Sequence, residues 1–254
     1  MHVATNASEL ICGSSSDKGV RMFGEIKIAP SILSADFMNL EPEIRKIEEG
    51  GAAYIHVDVM DGHFVPNLTI GVPIVSQLKK IAKIPLDVHL MISNPLEQLP
   101  WYLQHNPEIV TIHHEALHST KDMLAAVDMI ARAGVIPAVA LKPDTPTDVL
   151  EPYIDRLGMV LIMSVFPGFS GQSYVEGSED RVASVVQMAR AKGCSPLIQV
   201  DGGIGVETAG LVAAAGADVL VCGNAVYKAP EGVEAAIANV TKVAMSAQKP
   251  FEYR

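Results

Sequence analysis

A single closed (β/α)8 barrel is the fold this sequence predicts, on three observations. Short β-branched, apolar runs alternate with helix-period stretches at a spacing of about 30 residues, the length of one strand-helix unit. Eight such units fit between residues 26 and 246. Polar, chemistry-bearing residues fall at the ends of several strands, and a barrel brings those ends to one mouth where an open sheet would spread them.

Taken in order, residues 1–21 have neither a basic start nor an apolar signal core, and Ser14 to Asp17 adds polarity. They are predicted to be a disordered tail, with Met1 or Met22 as the natural start, and residues 22–254 to be one catalytic domain. Strands are predicted at 26–33, 54–60, 86–91, 109–115, 136–142, 159–165, 197–203 and 219–227. Helices are predicted at 39–49, 71–82, 95–105, 119–133, 147–156, 178–192, 206–215 and 231–246. Gly50-Gly51, Gly134, Gly193 and Gly216 stand where helices should stop. Asn94-Pro95 and Thr145-Pro146 mark helix starts, where proline fits the first turn. No linker-like composition interrupts the pattern. An open doubly wound sheet is the alternative, but no GxGxxG or phosphate-loop pattern follows the first strand.

Composition narrows the function. The 254 residues are 49% hydrophobic with few aromatics, as a parallel α/β protein requires. A net charge of −10 argues against nucleic acid or an anionic membrane as partner. A small anionic substrate remains compatible if backbone N–H groups hold it. Cys12, Cys194 and Cys222 form neither an even set nor a CxxC pair, which excludes a disulfide framework and a zinc finger and points to a reducing cytoplasm. The apolar stretches fall short of a membrane span.

The strand ends carry the chemistry. Tyr54-Ile-His-Val-Asp-Val-Met-Asp-Gly62 places His56 and Asp58 on one strand face by period-2 alternation, and Asp61-Gly62 closes the strand. Leu86-Asp-Val-His-Leu-Met91 offers His89, and Leu197-Ile-Gln-Val-Asp201 offers Asp201. One His-x-Asp is common by chance, but three strands ending in such groups are not. In a barrel Asp58 and Asp201 approach a bound molecule from different sides, as a two-base proton transfer needs. His56, Asp58, His89 and Asp201 also make a four-ligand shell for a divalent first-row metal, which would polarise a carbonyl and keep both carboxylates ionised.

A second constellation follows strands 6, 7 and 8: Pro167-Gly-Phe-Ser-Gly171, Gly202-Gly203 and Gly223-Asn224. Glycines let backbone N–H groups approach an anion, and phosphate sites recur after the last strands of such barrels. Each loop alone could be an ordinary turn. Together they predict a phosphate cradle.

These residues carry a resemblance. From about Ile26 to Ala236 the chain resembles the ribulose-phosphate 3-epimerases of the pentose phosphate pathway, a TIM barrel of the ribulose-phosphate-binding type. The shared motifs are Ala29-Pro-Ser-Ile-Leu-Ser-Ala-Asp36, His56 to Asn67, Asp87-Val-His-Leu-Met91, Pro167-Gly-Phe169 with Gly171-Gln172, and Val200-Asp-Gly-Gly-Ile204. The resemblance implies that one divalent metal ion (zinc, iron(II), manganese or cobalt) is held by His56, Asp58, His89 and Asp201. It implies Asp58 and Asp201 as the acid/base pair acting on C3 of a ketose phosphate. Ser31 and His89 would contact the sugar, and Gly168, Phe169, Ser170, Gly171, Gly202, Gly203, Gly223 and Asn224 the phosphate. It further implies a homo-oligomer.

Met60, Met91 and Met163 match methionines that line the site in this family, although barrel packing explains them almost as well. The chain departs from the pattern at Phe166, Ser170, Asn224 and His114. Phe166 and Ser170 lie in the loop expected to cover the substrate, so a 3-epimerase of a hexulose 6-phosphate such as D-allulose 6-phosphate is a rival reading. A phosphate-binding decarboxylase would need a lysine in an Asp-x-Lys-x-x-Asp pattern, where this chain has His56-Val-Asp-Val-Met-Asp61. A non-catalytic sugar-phosphate-binding barrel would be expected to have lost one of the four ligands, and all are present. His63, His105, His113 and His118 are predicted to lie at the surface or behind the ligands.

Overall fold

β-Branched side chains lose little freedom in extended backbone and pack well on a pleated surface, and this chain concentrates them in its strands. The computed structural model describes residues 25–248; the predicted tail, Cys12 and both candidate starts lie outside the described residues. Eight strands form: β1 (Lys27–Pro30), β2 (Ile55–Met60), β3 (Leu86–Met91), β4 (Ile109–His113), β5 (Ile136–Leu141), β6 (Met159–Met163), β7 (Leu197–Asp201) and β8 (Val219–Cys222). All pair in parallel, in the order β1-β8-β7-β6-β5-β4-β3-β2. A parallel bridge between Ser31 and His56 brings β1 back to β2 and closes the ring.

The helices cover the outside: α1 (Leu40–Glu49), α2 (Val72–Ile81), α3 (Pro95–Leu103), α4 (Thr120–Arg132), α5 (Ser178–Ala191), α6 (Ala209–Ala215), α7 (Asn224–Tyr227) and α8 (Val233–Ala247). Strands β2 and β3 are buried along their whole length, because one face meets helices and the other meets the barrel interior. Outward residues such as Val57, Val59, Val88 and Leu90 join the large core between sheet and helices. Each such side chain contributes about 1.5–3 kcal/mol when fully buried. Inward, Ala29, Ile109, Ala138, Met159, Val219 and Val221 fill the barrel floor with Tyr54 packed against them. The polar residues of inward parity stack above that plug.

Three expected elements differ most. Residues 147–156 form two 3-10 turns, Thr147–Leu150 and Ile154–Arg156, in place of a helix. Pro152 has no N–H to donate to Asp148, which disfavours a continuous helix through these residues. The strand expected over 219–227 ends at Cys222, and Asn224–Tyr227 is a helical turn whose Val226 and Tyr227 N–H groups donate to the Gly223 carbonyl. An apolar run of that length does not by itself separate strand from helix. The first strand likewise stops at Pro30, and Ile32–Ser34 is a 3-10 turn capped by the Ser31 hydroxyl.

Asp61 fastens the loop after β2 to the end of β3. Its Oδ1 accepts from the His63 and Phe64 N–H groups, each at 2.8 Å, and its Oδ2 from the N–H and hydroxyl of Ser93 at 2.7 and 2.8 Å. Partial burial opposes ionisation, but the donors from Phe64, Ser93 and His63 outweigh it and hold the pKa at about 2. Asp61→Ala is expected to lower unfolding free energy by about 1–3 kcal/mol at neutral pH, read from urea melts. Because the folded pKa lies below the unfolded value of 3.8, that difference should be complete above about pH 4 and shrink as the pH falls towards 2.

Candidate active site

In β2 the alternation of the pleat turns His56 and Asp58 inward, and in β3 it turns Asp87 and His89 inward. The register sets His56 opposite Asp87 and Asp58 opposite His89, so two imidazoles and two carboxylates form a diagonal square on adjacent strands. Asp201 enters from β7, across the barrel mouth. His56 and His89 are fully buried, Asp58 is 5% exposed, and the Asp201 side chain is 17% exposed.

Four atoms face one point: His56 Nε2, His89 Nδ1, Asp58 Oδ1 and Asp201 Oδ2. Asp58 Oδ1 lies 3.5 Å from His56 Nε2 and 3.3 Å from His89 Nδ1. Asp201 Oδ2 lies 3.9 and 3.8 Å from the same nitrogens, which are 3.4 Å apart. Tetrahedral bonds of about 2.0–2.1 Å put ligand atoms roughly 3.3–3.4 Å apart, so the set fits a small divalent cation. Among the described residues these four form the one cluster with metal-ligand spacing.

The groups behind them fix which atoms point inward. His56 Nδ1 is 2.7 Å from Asp87 Oδ2, which also accepts from Gln199 Nε2 at 2.6 Å. A carboxylate can only accept there, so neutral His56 carries its proton on Nδ1 and would offer the lone pair of Nε2 to a cation. The Ser31 hydroxyl donates to Asp58 Oδ2 at 2.5 Å, which leaves Oδ1 for the cluster.

Burial and charge divide the two carboxyl groups. Burial opposes a charge on Asp58, but His56 and His89 outweigh it and hold its pKa well below the usual carboxylate range. Burial and the negative Asp58 push Asp201 up to about 6. Burial works against charging His56, yet Asp87 and Asp58 raise its pKa well above the ordinary value. A metal-free site would therefore hold one carboxylate that stays ionised to low pH and one that gives up its proton around pH 6.

Above the cluster opens a cavity of about 500 Å³ with Ser31, Asp58 and Asp201 in its wall. Met60, Met91 and Met163 line it as well, so the three methionines are site residues rather than packing alone. The opposite wall is built from Gly168, Phe169, Ser170, Gly171, Gly202, Gly203, Gly223 and Asn224. Gly202 (φ +120°) and Gly203 (φ +63°) are required as glycine. A Cβ at Gly202 would sit 2.5 Å from Val165 Cγ2, and one at Gly203 would run into the Tyr174 backbone.

The residues from Phe166 to Gln172 are tied down on three sides. Asn67 Nδ2 donates to the Gly168 carbonyl at 2.7 Å, Gln172 Nε2 to the carbonyls of Phe166 and Phe169, and Ser170 Oγ meets Ser34 Oγ at 2.6 Å.

Matching the sequence against known families agrees with this architecture. The family model described as "Ribulose-phosphate 3 epimerase family" matches residues 27–227. The chain belongs to the ribulose-phosphate 3-epimerase family. The ribulose-phosphate 3-epimerase of Bacillus subtilis is 48% identical over 206 residues, 80% of this chain and 92% of that one. Methanocaldococcus jannaschii ribulose-phosphate 3-epimerase is 41% identical, covering 87% of this chain and 92% of the relative. Among solved structures, KGPDC from Streptococcus mutans superposes with a TM-score of 0.68 at 12% identity, covering 89% of this chain and 100% of that one. The 3-hexulose-6-phosphate synthase of Salmonella typhimurium gives 0.62 at 14% identity, over 88% of this chain and 100% of that chain. At such identities the shared feature is the barrel alone.

Two departures from the epimerase motifs lie outside the cavity wall. Phe166 is 53% exposed, and His114 bonds the Tyr153 hydroxyl at 2.7 Å behind the barrel. Ser170 and Asn224 do line it. Asp87 and Gln199 were given no role by motif, although alternation carries the signal: each lies two residues before a ligand candidate and therefore shares its face. His113 sits behind His89, as expected of a histidine behind the ligands, at 2.9 Å between Nε2 atoms. His63 folds back onto the Asp61 carbonyl.

The unequal carboxyls predict a cost of function in the metal-stripped protein. Asp201→Asn should raise its melting temperature at pH 8. The folded pKa of about 6 exceeds the unfolded 3.8, so the penalty for ionising Asp201 builds up as pH rises through that interval. The gain should therefore disappear in melts recorded below about pH 4.

Proposed function

We propose that this protein is a metal-dependent D-ribulose 5-phosphate 3-epimerase, interconverting that sugar with D-xylulose 5-phosphate. The observation that carries the reading is the convergence of His56, Asp58, His89 and Asp201 at the floor of a cavity in a member of this family. Residues 22–254 would form the catalytic domain.

Epimerisation at C3 needs a proton removed from one face and another delivered to the opposite face. Asp58 on β2 and Asp201 on β7 supply a carboxylate for each side of the sugar. One takes the C3 proton, charge passes to the neighbouring carbonyl oxygen as an enediolate, and the other returns a proton. A divalent metal, when bound by the four donors, would supply the positive charge that favours the enediolate and keeps the proton-abstracting carboxylate ionised, while the other carboxyl holds the proton it delivers. Zinc, iron(II), manganese and cobalt(II) each suit two imidazoles with two carboxylates.

Ser31 holds Asp58 in orientation through its 2.5 Å bond. His89, expected to contact the sugar, is fully buried and outside the cavity wall, so its part would be to hold the metal beneath it. Met60, Met91 and Met163 give a polarizable wall that keeps water from the enediolate. The phosphate would lie on backbone N–H groups of Gly168, Phe169, Ser170, Gly171, Gly202, Gly203, Gly223 and Asn224. This cradle serves a chain of net charge −10 because it needs no basic side chain. Cytoplasmic location and self-association complete the proposal. No described helix is long and apolar enough to cross a membrane.

The test is proton NMR of the metal-loaded protein with D-ribulose 5-phosphate in deuterium oxide. Xylulose 5-phosphate carrying deuterium at C3 is expected. Absence of both conversion and exchange, with metal bound, would overturn the reading, and turnover of D-allulose 6-phosphate in the same assay would favour the six-carbon substrate. Asp201→Asn should lower epimerisation by about 10²–10⁴-fold while C3 exchange from one epimer persists. Full epimerisation by that variant would sink the two-carboxylate scheme. His89→Ala should lose metal content and turnover together, measured by elemental analysis beside the assay.

A further inference from the structure

Behind the four donors a line of hydrogen bonds runs from His89 to the loop after β5. His89 Nε2 lies 2.9 Å from His113 Nε2, and His113 Nδ1 lies 3.1 Å from Glu115 Oε2. Glu115 Oε1 accepts from the Lys142 backbone N–H at 2.7 Å and from the Thr145 hydroxyl. Both rings are fully buried, with centroids 5.0 Å apart and planes inclined by 24°, and Phe64 packs on His113 at 4.8 Å.

From this arrangement we infer that Glu115 is a positioning residue that decides, through His113, which nitrogen of His89 is free to bind a cation. Two imidazole nitrogens 2.9 Å apart hold one proton between them. Glu115 sets its owner. Its Oε1 is committed to the Lys142 N–H, a group that can only donate, and Oε2 faces His113 Nδ1 as an acceptor. An uncharged His113, favoured by burial, then carries its proton on Nδ1 and presents a lone pair on Nε2. His89 must donate from Nε2, which leaves Nδ1 bare towards Asp58, Asp201 and His56. Asp87 does the same for His56 in one step, whereas His89 needs two because the carboxylate sits one ring further away.

The inference rests on the metal-binding reading of the four donors, and Glu115→Gln probes it with little change of shape. In that variant the Lys142 N–H pins the new amide oxygen at the Oε1 position, so the NH₂ group faces His113 Nδ1 and donates to it. The His113 proton moves to Nε2, where it meets the Nε2–H of His89. Relief comes only if His89 moves its own proton to Nδ1, the atom that a metal needs. His113→Gln serves as the second variant, since its side-chain oxygen can accept from His89 whatever stands at position 115.

The experiment is a zinc titration of full-length protein against a chromophoric chelator, with thermal melts confirming that each variant is folded. Glu115→Gln should raise the zinc dissociation constant about 10–100-fold. His113→Gln should stay near the parent, and adding Glu115→Gln to it should cost little more. Unchanged affinity in Glu115→Gln, or an equal loss in both backgrounds, would overturn the relay. A parent protein that binds no zinc, iron(II), manganese or cobalt(II) would overturn the metal reading itself and this inference with it.

Discussion

The register between β2 and β3 is the constraint on which the site depends. Pairing of Asp58 with His89 and of His56 with Asp87 brings the cluster donors of both strands and one of their supports together in the barrel. A slip of one residue in either strand would turn that strand's imidazole and carboxylate into the helix layer and two of its aliphatic side chains into the barrel. Val57, Val59, Val88 and Leu90 prevent that slip by filling the outer core. The donor geometry is therefore a by-product of hydrophobic packing on the other side of the same strands.

Holding ionisable groups in such a place is expensive. Each buried ion costs several kcal/mol unless it is paired and hydrogen-bonded. Here the pairing is nearly complete. Asp87 is shared by His56 and Gln199, Ser31 takes one oxygen of Asp58, and Glu115 is held by Lys142, Thr145 and His113. The exceptions are Asp87 Oδ1 and Gln199 Oε1, buried without a partner, and the facing pair of carboxylates, whose mutual repulsion adds to burial in raising Asp201 to about 6. That stress lies where a cation would relieve it and where proton transfer needs a group that titrates near neutrality.

Much of this was legible in the sequence, for reasons that can be named. The strand runs, the glycine stops and the His-x-Asp strand end are local signals, and the barrel follows from counting them. Asp58, His89 and Asp201 were legible because each lies in the C-terminal half of a strand, and His56 because alternation gives it the same face of β2 as Asp58. Glu115 and His113 were not, since their role depends on a lateral neighbour 24 residues away in the chain and on a backbone N–H in the loop after β5. Residues 147–156 misled because a helical pattern outweighed the missing donor of Pro152, and 219–227 because an apolar run continues past the change of backbone conformation at Gly223. The positions at Phe166 and His114 drew notice as departures, yet both side chains stand clear of the cavity wall.

The central claim is that four side chains from three strands converge on one cation. Anomalous diffraction from crystals of the zinc-loaded protein, recorded on both sides of the zinc edge, tests it most directly. The account predicts one strong peak at about 2.0–2.2 Å from His56 Nε2, His89 Nδ1, Asp58 Oδ1 and Asp201 Oδ2 together. A peak bound through other atoms, or a fully loaded crystal with none between these four, would contradict it.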